Sequence, residues 1–254
     1  MFDAPLPDGA PVTPLSRPAS AVVTKRLFDV AVGLLLSVLA LPIILILALG
    51  VAFCLRTWPF FTQQRVGYLG RPFTIIKLRT LPKIAPRYAS KFDLDHRELR
   101  TPALCRLLRA AHLDELPQLW LVPLGTMSLV GPRPLQGHNI EPLDPGFGAL
   151  RHMVRPGCTG VWQIGTDSGL LPTDSPTFDV FYLSHACLRL DVWVLWRTVL
   201  FILHVAKPIG CHEVPRWALG AGYVAFTWAS PARPLSLAPP RQPVEGFMTV
   251  LDRD

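Results

Sequence analysis

The chain has 254 residues, of which 50% are hydrophobic and 17% charged, and its formal net charge is +7. A protein this basic and this apolar suits anionic lipids and phosphorylated substrates at least as well as nucleic acid. Its five cysteines are scattered, and none forms a CxxC pair. This spacing argues against a secreted disulfide framework and a structural zinc site, and it favours a reducing, cytoplasmic environment.

The N-terminal segment, residues 1–24, is predicted to be a disordered, proline-rich leader. Five prolines lie within residues 1–20, and the segment shows little apolar periodicity. Such a segment cannot bury enough apolar surface to offset the entropy cost of ordering it. It is not a signal peptide, because the apolar run begins only after residue 29.

A membrane-associated segment is predicted over residues 25–56. Its uncharged part, Val30 to Leu55, would reach about 39 Å as one straight helix, enough to cross a hydrocarbon layer of about 30 Å. Pro42 divides it into halves of about 18–20 Å, each too short to span, so a hairpin within one leaflet is the alternative. Hydropathy alone favours a proline-kinked spanning helix. The basic residues on both flanks favour the hairpin, because cytoplasmic flanks carry the positive charge.

Residues 59–81 are predicted to form two short strands joined by a glycine-containing turn. In the second strand, the period of two places Lys77 and Arg79 on the same face. This pair is either a solvated basic edge that discourages aggregation or a contact for phosphate or lipid headgroups. A proline-interrupted loop is predicted over 82–102, and a helix is predicted near 104–115.

The stretch HLDELPQLW, residues 112–120, sets the adjacent acids Asp114 and Glu115 among leucines. Two carboxylates in partly apolar surroundings repel each other and resist desolvation, so a metal ion, a cation or a reaction would account for them. The alternative is an ordinary helix start, where the helix dipole favours acidic side chains.

Two segments complete the chain. Residues 191–206 are apolar but interrupted by Arg197, and they are too short to span a bilayer readily. They are predicted to form either a core helix or a helix in the membrane interface. The remaining segment, 208–254, is a proline-rich tail without a predicted fold.

Four sequence blocks follow one another along the chain: RVGYLGRPFTIIKLRTL, LRAAHLDELPQLWLVPLGTMSLVGPRP, VRPGCTGVWQIG and FDVFYLSHACLRLDVWVLWRTVL, with KRLFD before the apolar run. In this order they resemble the bacterial sugar transferases, the small monotopic phosphoglycosyl transferases. The resemblance covers roughly residues 25–205. It implies an α+β, mainly helical fold, with a re-entrant helix-break-helix at 25–56. It further implies a catalytic domain at 57–207 that has a short β-hairpin and interfacial amphipathic helices.

The break in the re-entrant helix is expected at Leu41–Pro42, where the family usually has Ser-Pro. The leucine removes a hydroxyl that could bond to the freed backbone groups. The family likeness also implies a location at the bacterial inner membrane, with the catalytic domain facing the cytoplasm.

The implied reaction transfers sugar-1-phosphate from a UDP-sugar to a polyprenol phosphate and releases UMP. It would be the first membrane step of exopolysaccharide, O-antigen or glycoconjugate assembly. By the resemblance, Asp114 attacks the phosphorus next to the sugar and forms a covalent phosphosugar intermediate, and Glu115 helps to hold Mg²⁺. A carboxylate nucleophile can divide one phosphoryl transfer into two steps, and a divalent ion with arginines would neutralise the diphosphate. The predicted phosphate-binding residues are Arg109, Arg133, Arg155, Lys77 and Arg79.

The RPGCTG stretch is predicted to contact the nucleotide. Gly157 and Gly160 would let the backbone approach a ligand closely, and Gln163 would line the same site. A plain structural turn is the alternative.

The alternative to an active enzyme is a catalytically silent, membrane-anchored assembly subunit of a glycan pathway. A nucleic-acid-binding protein is disfavoured, because aromatic residues are not interleaved with the basic run and no known motif is present. Homodimer formation stays open.

Overall fold

The computed structural model describes residues 13–14, 18–83, 101–137, 145–168, 176–222 and 224–225. Its α-helices are α1 (Ala19–Leu55), α2 (Ala103–Ala110), α3 (Pro145–Arg151), α4 (Thr177–His185) and α5 (Leu188–Ile202). Its strands are β1 (Thr13–Pro14), β2 (Phe60–Val66), β3 (Pro72–Leu78), β4 (Ser128–Val130), β5 (Gly157–Thr159) and β6 (Val224–Ala225). Short 3₁₀ helices cover Tyr68–Gly70, Leu113–Leu121, Cys211–Glu213 and Arg216–Ala218. The predicted mixture of helices and small sheets is confirmed. Most of the predicted leader and most of the loop at 82–102 lie outside the described residues.

Helix α1 continues through Pro42, so the predicted break at Leu41–Pro42 is not confirmed. Pro42 lacks an N–H and removes one intrahelical hydrogen bond, but the residues on both sides of it remain helical. Five residues earlier, the Ser37 hydroxyl donates a 2.6 Å hydrogen bond to the Gly33 carbonyl, a contact that often bends helices. Within the described part of the chain, α1 is the one helix long and apolar enough to cross a membrane.

One face of α1 packs against the rest of the protein along most of its length. The buried positions recur every three or four residues, at Asp29, Gly33, Ser37, Ala40, Ile44, Ala48 and Val51. This stripe covers about 33 Å of helix axis and continues past the proline. Gly33 permits a close approach, because a Cβ there would lie 2.7 Å from the Val122 side chain. The opposite face exposes large apolar side chains, among them Leu35, Leu39, Ile46, Leu49 and Phe53.

The two strands predicted at 59–81 are confirmed as β2 and β3. They are antiparallel, with Phe60 opposite Leu78 and Val66 opposite Pro72. Directly opposed residues share a face of the sheet. The 3₁₀ helix Leu113–Leu121 packs against β3, so the hairpin brings one face to the acid pair.

Strands β4 and β5 form a short parallel pair in the interior, with Ser128 opposite Gly157 and Val130 opposite Thr159. The stretch predicted as a turn is therefore partly a strand. A Cβ at Gly157 or Gly160 would collide with the backbone of Gly131, so these glycines allow two backbone segments to approach each other.

The main core lies around β4 and the first half of α5. Its buried residues include Met127, Leu129, Trp162, Leu190 and Val194. A second cluster joins α1 to β3 and α2, through Ala48, Val51, Leu78, Cys105 and Leu108. Both clusters therefore include or contact α1.

The apolar segment predicted at 191–206 corresponds to α5, which begins three residues earlier and ends at Ile202. Leu190 and Val194 are buried, whereas Val192 and Trp196 are exposed. One face of the helix therefore belongs to the core, and the other is an exposed apolar surface.

Residues 208–222, predicted as part of a tail, pack against the same domain. Ile209, Val214 and Ala218 join the main core. The backbone of Ile209 accepts a hydrogen bond from the Thr166 N–H and donates one to the Ile164 carbonyl. The described part of the tail therefore extends the domain beyond residue 207. Residues 226–254 lie outside the described part of the chain.

Candidate active site

The acid pair lies where α2 ends and a new helix begins. His112 adopts a left-handed conformation with φ of 56°, which turns the chain between the two helices. Asp114 and Glu115 then occupy the first turn of the 3₁₀ helix Leu113–Leu121. The prediction of an acid-rich helix start is therefore correct for the backbone. It does not account for the surroundings of the two side chains.

Glu115 is paired with two cations from different parts of the chain. Its Oε1 atom accepts a 2.5 Å hydrogen bond from Lys77 Nζ and a 3.1 Å hydrogen bond from Arg133. Burial acts to raise the pKa of Glu115, but Lys77 and Arg133 overcome this effect and hold it well below the usual range. Glu115 is therefore ionised at neutral pH. Its Oε2 atom has no hydrogen-bond partner among the described residues.

Asp114 has a different environment from that of its neighbour. The residue is 8% exposed, and its carboxylate forms no ion pair within the described ranges. Burial raises the pKa of Asp114 to about 6; Glu115 adds to the rise, while Lys77 and Arg109 oppose it. Asp114 is thus a buried carboxylate without an ion pair among the described residues.

A small cleft, partly open to solvent, lies beside Glu115. The hairpin, the 3₁₀ helix, the segment after β4 and strand β5 all contribute to its walls. The lining residues are Arg65, Ile75, Lys77, Glu115, Gln118, Arg133, Pro134, Gly157 and Cys158. The structure therefore brings the predicted residues Lys77, Glu115, Arg133 and Gly157 together.

Arg133 forms contacts through both its side chain and its backbone. Its guanidinium pairs with Glu115 and lies 5.7 Å from the centre of the Trp162 ring, within the range of a cation–π contact. Its backbone carbonyl accepts a 2.9 Å hydrogen bond from Arg151. Arg151 is itself buried and forms two hydrogen bonds, of 2.8 and 3.1 Å, with the carboxylate of Asp179. This ion pair fixes the segment that carries Arg133.

Two predicted phosphate-binding residues lie outside the cleft. Arg79 follows the last paired residue of β3, and its side chain donates to the carbonyl of Trp58 at 3.1 Å. Arg155 donates to the carbonyl of Gly125 at 2.8 Å and stacks over the ring of Tyr68 at 5.1 Å. The structure does not bring either side chain to the acid pair. Arg109, by contrast, is close enough to Asp114 to influence its pKa.

Gln163 and Gly160 lie next to each other but are not lining residues of the cleft. Both polar atoms of the Gln163 side chain are buried and without a hydrogen-bond partner. The indole N–H of Trp162 is likewise buried and unpaired.

Arg65 and Gln118 are among the lining residues that were not predicted from the sequence. Arg65 faces the cleft from β2, and Gln118 is buried on the 3₁₀ helix, one turn after the acids. A signal for Arg65 was present, because the period of two in a hairpin places it opposite Phe73 and on the same face as Lys77. Gln118 has no comparable signal.

The family model for bacterial sugar transferases matches residues 20–205, most of the chain. The chain belongs to the bacterial sugar transferase family. Among curated proteins, this sugar transferase is 37% identical to the uncharacterized sugar transferase EpsL of Bacillus subtilis, over 72% of this chain and 88% of that protein. It is 36% identical to the UDP-glucose:undecaprenyl-phosphate glucose-1-phosphate transferase of Caulobacter vibrioides, over 78% of this chain and 74% of that protein.

A third relative has the same name as the Caulobacter protein. The UDP-glucose:undecaprenyl-phosphate glucose-1-phosphate transferase of Klebsiella pneumoniae is 33% identical over 76% of this chain, and the match spans 43% of that protein. This sugar transferase thus corresponds to less than half the length of the Klebsiella relative. The predicted family and the prediction of a transferase enzyme are confirmed.

Proposed function

We propose that this sugar transferase moves a sugar-1-phosphate from a UDP-sugar to a polyprenol phosphate, with UMP as the other product. The relatives from Caulobacter and Klebsiella are named for this reaction with glucose-1-phosphate and undecaprenyl phosphate. Family membership over residues 20–205 includes the whole of the cleft and both acids.

The observation that carries the proposal is the unequal environment of the two acids. Glu115 is neutralised by Lys77 and Arg133, whereas Asp114 is buried without an ion pair among the described residues. A nucleophile needs an oxygen that is not already engaged by a cation. The residue that stabilises the bound substrate needs a carboxylate that remains ionised. The geometry therefore supports Asp114 as the nucleophile and Glu115 as its fixed, ionised neighbour.

The reaction then has two steps. In the first, a carboxylate oxygen of Asp114 forms a bond to the phosphorus that bears the sugar, and the bond from that phosphorus to the UMP oxygen breaks. In the second, an oxygen of the polyprenol phosphate forms a bond to the same phosphorus, and the carboxylate of Asp114 leaves. The cations of the cleft, Lys77 and Arg133, reduce the repulsion between the diphosphate and the two carboxylates.

Magnesium is the expected cofactor, and the donor set fits it. Mg²⁺ in phosphoryl-transfer sites commonly uses one or two carboxylates together with water and phosphate oxygens. Glu115 offers such an oxygen, because both cations contact Oε1 and leave Oε2 without a partner among the described residues. The ion would neutralise charge on the diphosphate. No cluster of three or more His, Cys, Asp or Glu side chains occurs in the described ranges, so substrate oxygens would complete the coordination.

We further propose that α1 stays within one leaflet. The buried stripe from Asp29 to Val51 contacts a single domain along about 33 Å of helix, while the other face is apolar and exposed. A helix crossing the bilayer along its normal would carry the domain into the hydrocarbon layer, where the polar groups of the domain would be costly. The basic residues on both flanks of α1 agree with a cytoplasmic location for both ends.

The test is UMP release from a panel of UDP-sugars by the full chain in lipid nanodiscs with Mg²⁺ and undecaprenyl phosphate. We expect turnover with at least one donor, and a decrease of roughly 10⁴-fold or more in Asp114→Ala and Asp114→Asn. The control is Glu213→Gln, which removes an exposed carboxylate outside the cleft and should leave the rate unchanged.

Mass spectrometry identifies the intermediate. After mixing with donor in the absence of the acceptor, the peptide that contains Asp114 should gain the mass of a phosphosugar. An adduct on another residue would disprove the assignment of the nucleophile. No UMP release with any donor would instead favour a catalytically silent assembly subunit.

A further inference from the structure

Arg65 lies on the face of the hairpin that lines the cleft. On β2 it is opposite Phe73, two residues before Ile75 on β3, and the same face continues to Lys77. Its side chain contributes to the same cleft as Lys77, Glu115 and Arg133. The guanidinium is thus a third cation in the cleft, from a strand that carries none of the predicted site residues.

The charge of Arg65 is not neutralised by a direct contact with an acid. Its side chain donates a 2.7 Å hydrogen bond to the neutral amide of Gln63, and its Nε atom is buried without a partner. No carboxylate lies within ion-pair distance among the described residues. Glu115 acts on it electrostatically, but that carboxylate is already shared by Lys77 and Arg133. A partly buried guanidinium left in this state is costly unless an anion completes the arrangement.

The residues that line the cleft carry three cations and one carboxylate. This excess of positive charge matches a doubly ionised diphosphate, and guanidinium groups suit paired phosphate oxygens particularly well. Burial and, secondly, the nearby Arg133 lower the pKa of Arg65 to about 10, so the group stays protonated at neutral pH.

Arg65 lies farther along the hairpin than Lys77. It is opposite Phe73, four residues or about 13 Å of strand from Lys77, which contacts Glu115 next to Asp114. Under the proposed function, Asp114 attacks the phosphorus that bears the sugar, so Lys77 is the cation beside that phosphate. Arg65 is left for the phosphate that departs with the nucleoside.

We propose that Arg65 binds the nucleoside-linked phosphate of the donor and retains it in the product UMP. This inference rests on the proposed function, and it adds a residue and a specific phosphate to it. Arg65 and Arg133, which line the same cleft, would share that phosphate. The arrangement would offset their mutual repulsion and supply the anion that Arg65 lacks.

The test measures UMP binding to the full chain in nanodiscs by isothermal titration calorimetry, with Mg²⁺ present. We expect Arg65→Gln to weaken UMP binding by about 10- to 100-fold, the range expected for a hydrogen bond to a charged group. Arg65→Lys keeps the positive charge but loses the planar pair of N–H donors. Its affinity for UMP should therefore lie between those of the wild type and the glutamine variant. The matched control is Arg71→Gln, which removes an exposed arginine from the turn of the same hairpin and should leave UMP binding unchanged.

Uridine serves as a control that distinguishes the loss of a phosphate contact from a general distortion of the site. Its binding constant is obtained by competition, from the decrease that uridine causes in the apparent affinity for UMP. The uridine constant should be the same in the wild type and Arg65→Gln, because uridine has no phosphate. Unchanged UMP binding in the variant, or equal losses for UMP and uridine, would overturn the proposal. If Arg65→Gln does not fold, the lysine variant decides on the same criteria. Binding is measured without turnover, so a wild-type chain that binds UMP but releases none from any donor would refute the proposed function separately.

Discussion

The carboxylate of Asp29 accepts a 2.8 Å hydrogen bond from the hydroxyl of Ser128, which ties α1 directly to the first residue of β4. The other oxygen of Asp29 accepts a 3.2 Å hydrogen bond from the backbone N–H of Leu129. Strand β4 leads into the segment that carries Arg133. The membrane helix and the cleft are therefore joined by buried polar contacts as well as by apolar packing.

Asp29→Ala should destabilise the protein, because it leaves the Leu129 N–H buried without its acceptor and removes one of the two carboxylates paired with Lys25. The Ser128 hydroxyl keeps the Val130 carbonyl as an acceptor. The expected loss is about 1–3 kcal/mol of unfolding free energy. Asp29→Asn keeps one acceptor oxygen and should lose less. Thermal unfolding in a fixed detergent compares the two variants with the wild type. Equal stability of Asp29→Ala and the wild type would contradict the role of this contact.

Both ends of α1 should be accessible from the same side of the membrane. The test places single cysteines at Ser20 and Gln64, both exposed, in a chain whose five native cysteines are replaced by serine. A membrane-impermeant maleimide should label both positions in inverted vesicles and neither in right-side-out vesicles. Labelling of the two positions from opposite sides would show that α1 crosses the bilayer.

Lys77→Met should lower UMP release by about 100-fold or more, because it removes the closer of the two cations on Glu115 and a charge near the diphosphate. Arg79→Met should have a much smaller effect, since Arg79 contacts the Trp58 carbonyl outside the cleft. The strand period alone predicts that Lys77 and Arg79 share a face, whereas the structure places only Lys77 in the cleft. Similar losses of activity in the two variants would therefore contradict the structure. Steady-state kinetics with the best donor provides the comparison.

The buried ion pair of Arg151 and Asp179 should be sensitive to the loss of one partner. Asp179→Asn leaves the charge of Arg151 buried without its carboxylate, and the expected loss of stability is about 3–5 kcal/mol. Replacing both residues together, as Arg151→Met with Asp179→Leu, should recover much of this loss. The double variant should still have reduced activity, because the bond from Arg151 to the Arg133 carbonyl is also removed. Urea unfolding and UMP release measure the two effects separately.

His152 should make the protein less stable in mild acid. Burial and the neighbouring Arg151 lower the pKa of His152 from 6.5 to about 4, and its buried Nε2 atom has no partner. Between these values the unfolded chain binds the proton more readily than the folded chain, so stability falls as the pH decreases from 6.5 towards 4. His152→Gln should reduce the loss between pH 7 and pH 5 by an amount on the order of 1 kcal/mol. The exposed His212→Gln is the control, and an identical pH dependence in wild type and His152→Gln would refute the prediction.

Local patterns in the sequence were sufficient for several elements. The apolar run, the two strands and the acid pair each follow from residues close together in the chain, because the periods of helices and strands are local properties. The strand period does not predict the position of the Arg79 side chain correctly. Strand pairing ends at Leu78, and the Arg79 N–H bonds to the Pro59 carbonyl, so the period of two no longer directs its side chain.

The acid pair itself was evident from the sequence, as was the family to which its motif belongs. The difference between the two acids was decided by tertiary structure alone. Lys77 lies 38 positions before Glu115, and Arg133 lies 18 positions after it. Both donate hydrogen bonds to the same oxygen of Glu115, and neither forms an ion pair with Asp114. The partial burial of Arg65 in the same cleft also depends on tertiary structure. The sequence determines residue type and formal charge. Desolvation and ion pairing depend on which distant segments pack together, and these two effects determine the pKa and the reactivity of a carboxylate.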